Sequence, residues 1–159
     1  MSAVISDTSP LHYLIECGVA EVLPSLFKEI VIPPTVFQEL QHPNTPERIR
    51  DWMQTPVSWL KVQAPTKIDS TLNVDQGERE AISLALEISA AAILIDDRKG
   101  RLEASRRGLQ VAGTIGILEA AARRGLIDFT VVIMRLKQTG ARLDNDLIEN
   151  ALQRTISFR

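Results

Sequence analysis

Short apolar runs alternate with helical patterns along most of the chain. Runs of about four residues predict strands, and apolar residues spaced three and four apart predict amphipathic helices. Strands are predicted at residues 3–6, 29–32, 59–62, 92–95 and 109–112. Helices are predicted at residues 11–16, 20–27, 35–41, 47–53, 75–89, 98–107 and 114–124, with two more between residues 128 and 159.

Helix-boundary residues support this division of the chain. Ser9 is expected to cap the first helix and Pro10 to occupy its first turn, whereas Gly108 and Gly125 are expected to end two later helices. Strands joined through helices pair in parallel, because a parallel connection needs a long crossover. The sequence therefore predicts an α/β three-layer sandwich with a central parallel sheet and helices on both faces.

Length and composition limit the class of protein. The 159 residues, 45% of them hydrophobic, suit a single domain spanning residues 1–159, with a C-terminal helical segment from about residue 128. A net charge of −2 argues against a broad basic surface that binds duplex nucleic acid. Cys17 is the single cysteine, so no intramolecular disulfide can form. No signal peptide or bilayer-length apolar run is visible, and we expect a cytoplasmic protein with no membrane association.

Carboxylates follow two of the predicted strands directly. Asp7 follows the first strand, and Asp96 and Asp97 follow the strand at residues 92–95. Binding sites of parallel sheets form beyond the C-terminal ends of the strands. Carboxylates brought together there repel one another unless a cation neutralises them, and oxygen ligands favour magnesium, manganese or calcium. Taken singly, each aspartate is equally consistent with a helix cap or a turn.

Two glutamates extend this candidate cluster. Glu78 continues the apolar face of its helix at the end nearest the expected site, whereas Glu80 flanks that face. Asp75 to Glu78 also matches a capping box, in which Glu78 bonds a backbone N–H, so both roles remain open. Glu39 borders the apolar face of the helix at residues 35–41, where a solvated surface position is the alternative.

Four sequence blocks occur in the order found in PIN domains. The chain resembles the PIN-domain family of metal-dependent ribonucleases, especially a group of short bacterial and archaeal members, over residues 3 to about 127. The blocks are Ile5–Leu11 around Asp7, Ile32–Leu40 around Glu39, Gly77–Ala85 with its Gly-Glu-Arg-Glu-Ala-Ile sequence, and Ile93–Arg101 with the pair Asp96 and Asp97.

The resemblance implies a catalytic role for the acidic residues that match the family pattern. Carried over by position, the catalytic residues are Asp7, Glu39, Glu78 and Asp97, and the Mg²⁺ or Mn²⁺ ligands are Asp7, Glu78 and Asp97 with Asp96 beside them. Many members carry Asp where this chain has Glu78. The nearby Glu80 leaves the alignment with the family ambiguous by two residues, and the helical projection favours Glu78. The choice between Asp96 and Asp97 stays open. The implied reaction is hydrolysis of single-stranded RNA to a 5′-phosphate and a 3′-hydroxyl.

Basic residues begin immediately after the acidic pair. We expect Arg98, Lys99 and Arg101 to contact the phosphate backbone, and Arg106 and Arg107 extend the same run. A solvated helix face is the alternative interpretation. Aromatic residues make up 4% of the chain, which favours little readout of bases.

The family resemblance also implies partners. It predicts a homodimer that acts as the toxin of a toxin–antitoxin pair and is blocked by a small antitoxin protein. The alternative is a catalytically silent PIN-like interaction module regulated by a partner. A phosphatase of the haloacid-dehalogenase type is disfavoured because Ser9 stands where that chemistry needs a second aspartate.

Overall fold

Five short parallel strands form one sheet. The computed structural model describes residues 3–157 of the chain. The strands are β1 (Val4–Ser6), β2 (Ile30–Ile32), β3 (Leu60–Val62), β4 (Ala92–Leu94) and β5 (Val111–Ala112), and their order across the sheet is β3-β2-β1-β4-β5. Each neighbouring pair is parallel, with Ile5 opposite Val31 on one side and opposite Ile93 on the other. The predicted parallel α/β sandwich is confirmed.

Helices connect the strands and complete the chain. They are α1 (Thr8–Glu16), α2 (Val22–Phe27), α3 (Pro34–Glu39), α4 (Glu47–Gln54), α5 (Gln76–Glu87), α6 (Arg98–Arg106), α7 (Thr114–Arg123), α8 (Phe129–Gln138) and α9 (Asn145–Ile156). No helix within residues 3–157 is long and apolar enough to cross a membrane.

Alternating strand residues bury the two faces of the sheet against different helices. Val4, Ile30, Ile32 and Leu94 pack into a core shared with α1, α3, α4 and α7 to α9. The residues next to these along the chain point to the opposite face of the sheet and pack against α5 and Ala104 of α6. This second set consists of Ile5, Val31, Ile93 and Ile95. This alternation follows from the two-residue period of a strand and produces three layers.

The first helix begins earlier than the sequence predicted. It starts at Thr8 rather than Leu11, and its N-cap is Asp7 in extended backbone geometry, not Ser9. Pro10 is tolerated because the first-turn N–H groups have no intrahelical acceptor. The predicted helix ends at Gly108 and Gly125 are supported by their positive φ angles of 85° and 75°, a conformation that glycine adopts without strain.

The order of the strands reverses direction between β1 and β4. The chain runs outward from β1 through β2 to β3, then crosses back to β4 and continues to β5 on the other side. In sheets of this kind a crevice opens beyond the strand ends where the order reverses. Asp7 stands at that point beside the end of β4, and its backbone N–H donates to the Leu94 carbonyl with an N···O distance of 2.8 Å.

Candidate metal centre

Asp7 is a buried carboxylate with acidic neighbours. Its side chain follows β1 at the switch point, the residue is 6% exposed, and it makes no side-chain bond to its own helix. The pKa of Asp7 is raised to about 7, mainly by burial and also by the negative charges of Asp75, Glu39 and Asp96, while the backbone N–H of Thr8 opposes the rise. The ionised form of Asp7 is therefore disfavoured unless a cation is present.

Glu78 is the second buried carboxylate of the site. It lies in the first turn of α5 and is 6% exposed. The pKa of Glu78 is raised to about 8, mainly by burial and also by the negative charges of Asp75, Asp7 and Asp97. Asp7 therefore lies close enough to Glu78 to oppose the ionisation of Glu78.

The capping and cluster roles of Glu78 turn out to be compatible. The Asp75 carboxylate accepts a hydrogen bond from the Glu78 N–H at 2.8 Å, which caps α5. In return the Asp75 backbone N–H lowers the pKa of Glu78, but this is the smallest of the contributions, and burial and three acids outweigh it. A capping-box residue thus also faces the acidic crevice.

Glu80 is directed elsewhere. It is also 6% exposed, but its carboxylate accepts hydrogen bonds from the Thr35 hydroxyl and from Gln76 Nε2, the latter at 3.2 Å. The bond from Thr35 ties α5 to the start of α3, and the bond from Gln76 lies within α5. The structure therefore joins Glu78, and not Glu80, to Asp7.

Glu39 reaches the crevice from the end of α3. Its carboxylate accepts a hydrogen bond from the hydroxyl of Thr8, which directly follows Asp7 in the chain. A Cβ atom at Gly77 would lie 2.9 Å from Glu39 Oε1, so a larger residue there would push this carboxylate away. Gly77 thus permits the close approach of α5 and Glu39.

Asp96 and Asp97 follow β4 and have different partners. Both oxygens of Asp96 are used by Thr114 at the start of α7, from its N–H and its hydroxyl, each at 2.7 Å. Asp97 caps α6 through one oxygen, which accepts from the Gly100 N–H at 2.9 Å. Asp97 raises the pKa of Glu78, whereas Asp96 raises that of Asp7, so both belong to the cluster.

Asp75 is an acid that the sequence analysis treated only as a cap. Among the neighbouring charges, that of Asp75 raises the pKa values of Asp7 and Glu78 the most. The sequence position of Asp75, three residues before Glu78, could have indicated its place in the cluster. The residue that caps a helix lies close to the first turn of that helix, and here the first turn carries Glu78. We name Asp7, Glu39, Asp75, Glu78, Asp96 and Asp97 the acidic cluster.

The basic residues after Asp97 are divided by their partners. Arg101 lines a cavity together with Asp96 and Asp97, whereas Arg98 and Lys99 are exposed in the first turn of α6. Arg106 and Arg107 each form an ion pair with Glu103, at 3.2 and 2.6 Å, so they do not continue a free basic run as the sequence suggested.

The chemistry of the acidic cluster suits a hard divalent cation. Within residues 3–157 no lysine or arginine forms an ion pair with Asp7 or Glu78. The atoms that could bind a metal in the acidic cluster are carboxylate oxygens, which Mg²⁺ and Mn²⁺ prefer. Gly100 leaves room beside Glu78, since a Cβ there would lie 3.2 Å from Glu78 Oε2.

The carboxylates do not form a closed cage in this structure. Among residues 3–157, no three acidic, histidine or cysteine side chains are arranged so that they could hold one ion as they stand. Glu39, Asp96 and Asp97 are instead bonded to hydroxyl or N–H groups. Mg²⁺ is commonly bound by one or two carboxylates and several waters, so the donor set fits this ion without a cage.

The fold and the acidic cluster define an α/β protein with an oxygen-lined candidate metal site at the switch point of a parallel sheet. A family model described as "DUF3368: PIN domain" matches residues 3–157, and the chain belongs to the PIN-domain family. PIN domains are generally nucleases that bind nucleic acid and typically use divalent metals.

Comparison with known proteins adds a structural neighbour. A PilT N-terminus domain protein, SSO1118, from the hyperthermophilic archaeon Sulfolobus solfataricus P2 superposes with a TM-score of 0.55. The match covers 76% of this chain and 93% of the neighbour at 22% identity, which shows a shared fold. Among curated proteins no match is found.

Proposed function

We propose that the protein is a Mg²⁺- or Mn²⁺-dependent endoribonuclease that hydrolyses phosphodiester bonds of single-stranded RNA. The observation that carries this proposal is the pair Asp7 and Glu78, two buried carboxylates at the switch point that face other acids and have no cationic partner among residues 3–157. A fold rarely retains such an arrangement for stability, since each charge opposes the others. Membership of a nuclease family supports the same conclusion.

The proposed roles follow from the partners of each side chain. Asp7, Glu78 and Asp97 would hold the cation, because no side chain within residues 3–157 donates a hydrogen bond to Asp7 or Glu78, and Asp97 uses one oxygen for capping. Asp96 is held by Thr114 and would stabilise the site from beside Asp97. When bound, the cation lowers the pKa of a water and offsets charge on the phosphate.

The remaining residues would act on the substrate directly. Glu39 lies at the open side of the crevice, where its carboxylate can orient the attacking water and accept its proton. Arg98, Lys99 and Arg101 would bind the negatively charged backbone of the RNA. The family pattern implies products with a 5′-phosphate and a 3′-hydroxyl.

The test compares RNA cleavage by matched aspartate variants. The protein is incubated with labelled single-stranded RNA and Mn²⁺, alongside Asp7→Asn and the control Asp51→Asn, which makes the same chemical change at an exposed position on α4. We expect the wild type and Asp51→Asn to cleave and Asp7→Asn to be inactive. Equal cleavage by all three would refute the proposal, and no cleavage by the wild type would favour the silent interaction module.

The biological setting is proposed on the family resemblance alone. A cytoplasmic toxin inhibited by a small antitoxin protein, and assembly as a homodimer, remain predictions. Co-expression with the product of a neighbouring small open reading frame, followed by the same cleavage assay, tests the first. Sedimentation equilibrium tests the second.

A further inference from the structure

A groove leads away from the acidic cluster toward the C-terminal helices. Its volume is about 840 Å³, within the range of roughly 300–1,000 Å³ that ligand-binding clefts occupy. Asp96 and Asp97 lie at one end, and the connection between α8 and α9 (residues 139–144) lies along the other side. The groove is therefore continuous with the candidate metal centre.

Two arginines face this groove from different elements. Arg101 projects from α6 beside Asp96, since a Cβ placed at Gly113 would meet both Arg101 Nη1 at 2.6 Å and Asp96 Oδ1 at 2.9 Å. Arg142 lines the groove from the α8–α9 connection and is exposed. Neither guanidinium forms an ion pair or hydrogen bond within residues 3–157.

The acids that line the groove are hydrogen-bonded to groups other than these arginines. Asp96 is bonded to Thr114, Asp97 caps α6, and Asp144 caps α9 by accepting from the Asp146 and Leu147 N–H groups at 3.0 and 3.1 Å. None of the three forms an ion pair with Arg101 or Arg142 within residues 3–157. Two free guanidinium groups beside a candidate phosphodiesterase site are suited to bind phosphates.

The wall that carries Arg142 is held in place by a contact distant from the groove. Arg154 of α9 binds Glu119 of α7 through two nitrogens, with N···O distances of 2.7 to 3.0 Å. Leu143 packs against the main core, and Leu136 is fully buried within it. The α8–α9 connection is thus anchored by the packing of the two helices that flank it.

We propose that this groove is the path of the RNA strand beyond the scissile bond, with Arg101 and Arg142 each binding a backbone phosphate. The proposal rests on the nuclease function proposed above and assigns Arg142, from the C-terminal segment, as a substrate-positioning residue. Two phosphate contacts suit a single strand that enters the groove. A duplex-binding surface would need a broad basic face, and the net charge of −2 argues against one.

The experiment measures binding of a short fluorescein-labelled single-stranded RNA by anisotropy in Mg²⁺. The Asp7→Asn background prevents cleavage, and Arg142→Gln and Arg101→Gln are compared with Lys137→Gln, an exposed α8 residue outside the groove. Each arginine change should weaken binding roughly fourfold at 0.15 M salt and reduce the slope of log K against log salt by about 0.7. Lys137→Gln should alter neither quantity.

Cleavage kinetics separate this proposal from the nuclease proposal. In the otherwise wild-type protein, Arg142→Gln should raise KM with little change in kcat, because a phosphate contact is made equally in the ground and transition states. If the wild type cleaves but Arg142→Gln leaves KM and the salt slope unchanged, the groove assignment is wrong and the nuclease proposal stands. If the wild type fails to cleave while the arginines still control RNA binding, the nuclease proposal is wrong and the groove remains the RNA-binding site.

Two further outcomes would also overturn the groove assignment. An equal loss with Lys137→Gln would show that binding follows net charge rather than the groove. Equal affinity for a duplex of the same sequence would exclude a single-strand path. Unchanged thermal midpoints for the variants would show that a loss of binding does not come from unfolding.

Discussion

Glu78 and Glu119 are both buried glutamates on helices, yet their surroundings differ completely. Glu119, 9% exposed on α7, receives Arg154 at 2.7 Å and Arg123 at 3.4 Å, so its charge is matched within the chain. Glu78, 6% exposed, faces Asp75, Asp7 and Asp97. The comparison teaches that burial alone does not mark a functional acid; what marks it is burial among other acids without an internal cation.

The largest expected effect is a contrast between the two glutamates. Glu78→Gln should reduce RNA cleavage by about a thousandfold, because it removes a charged ligand of a cation that contributes several kcal/mol to stabilising the transition state, and about 1.4 kcal/mol corresponds to tenfold in rate. Glu119→Gln should retain most activity and lower the thermal midpoint by about 3–6 °C, because it weakens the contact between α7 and α9. Cleavage assays and calorimetry on both variants measure this contrast. Loss of activity on changing Glu119 alone, with Glu78→Gln still active, would reverse the assignment.

The second effect is a pH dependence of stability. Asp7 and Glu78 ionise near pH 4 when unfolded, but their folded pKa values are about 7 and about 8. The metal-free folded protein therefore binds more protons than the unfolded chain between these limits, and its stability falls as pH rises from about 4 to 8. The loss attributable to Asp7 is roughly 4 kcal/mol.

Denaturant unfolding in EDTA across this range measures the effect. Asp7→Asn should flatten the profile, Asp51→Asn should leave it unchanged, and Mn²⁺ should raise the stability of the wild type more at pH 8 than at pH 5. Stability that increases steadily with pH over this window would contradict the account. Such a result would mean that some group within the chain already neutralises both carboxylates.

The smallest effect concerns the support of Asp96. Thr114→Val removes the hydroxyl that bonds Asp96 while retaining the backbone N–H bond, and the volume of the side chain changes little. Loss of a group that orients a metal-site carboxylate commonly lowers affinity by 10–100-fold, and the retained bond places the expectation near tenfold. Manganese titrations of this variant and of Thr71→Val, an exposed threonine on the opposite sheet face, provide the comparison. Equal affinities would show that Asp96 plays no part in binding.

The sheet and its acidic edge followed from the sequence because they depend on local patterns. The run Ala92 to Ile95 and the pair after it give both a buried strand and its C-terminal acids, and the family blocks align Asp7, Glu39 and Glu78 with them. The helical projection favoured Glu78 over Glu80 because it placed Glu80 beside the apolar face. The structure buries both residues to 6% exposure, and they differ in their partners, since Glu80 accepts from Thr35 whereas Glu78 faces other acids.

Other features depend on packing between distant segments and could not be predicted. Local capping preference favoured Ser9 at the start of α1, but the end of β1 beside β4 fixes the backbone of Asp7 as the cap. The position of Arg142 opposite Arg101 depends on how α9 docks on α7 through Arg154 and Glu119. No spacing within the sequence encodes that contact.

The central claim is that the buried acids of the switch point hold one hard cation. Anomalous diffraction from crystals grown with Mn²⁺ tests it most directly, because manganese can be located independently of the protein atoms. The account predicts a peak bonded to carboxylate oxygens of Asp7 and Glu78, with Asp97 coordinated directly or through water. Manganese bound only at other surface carboxylates, with Asp7 and Glu78 left without a metal at saturating concentration, would contradict it.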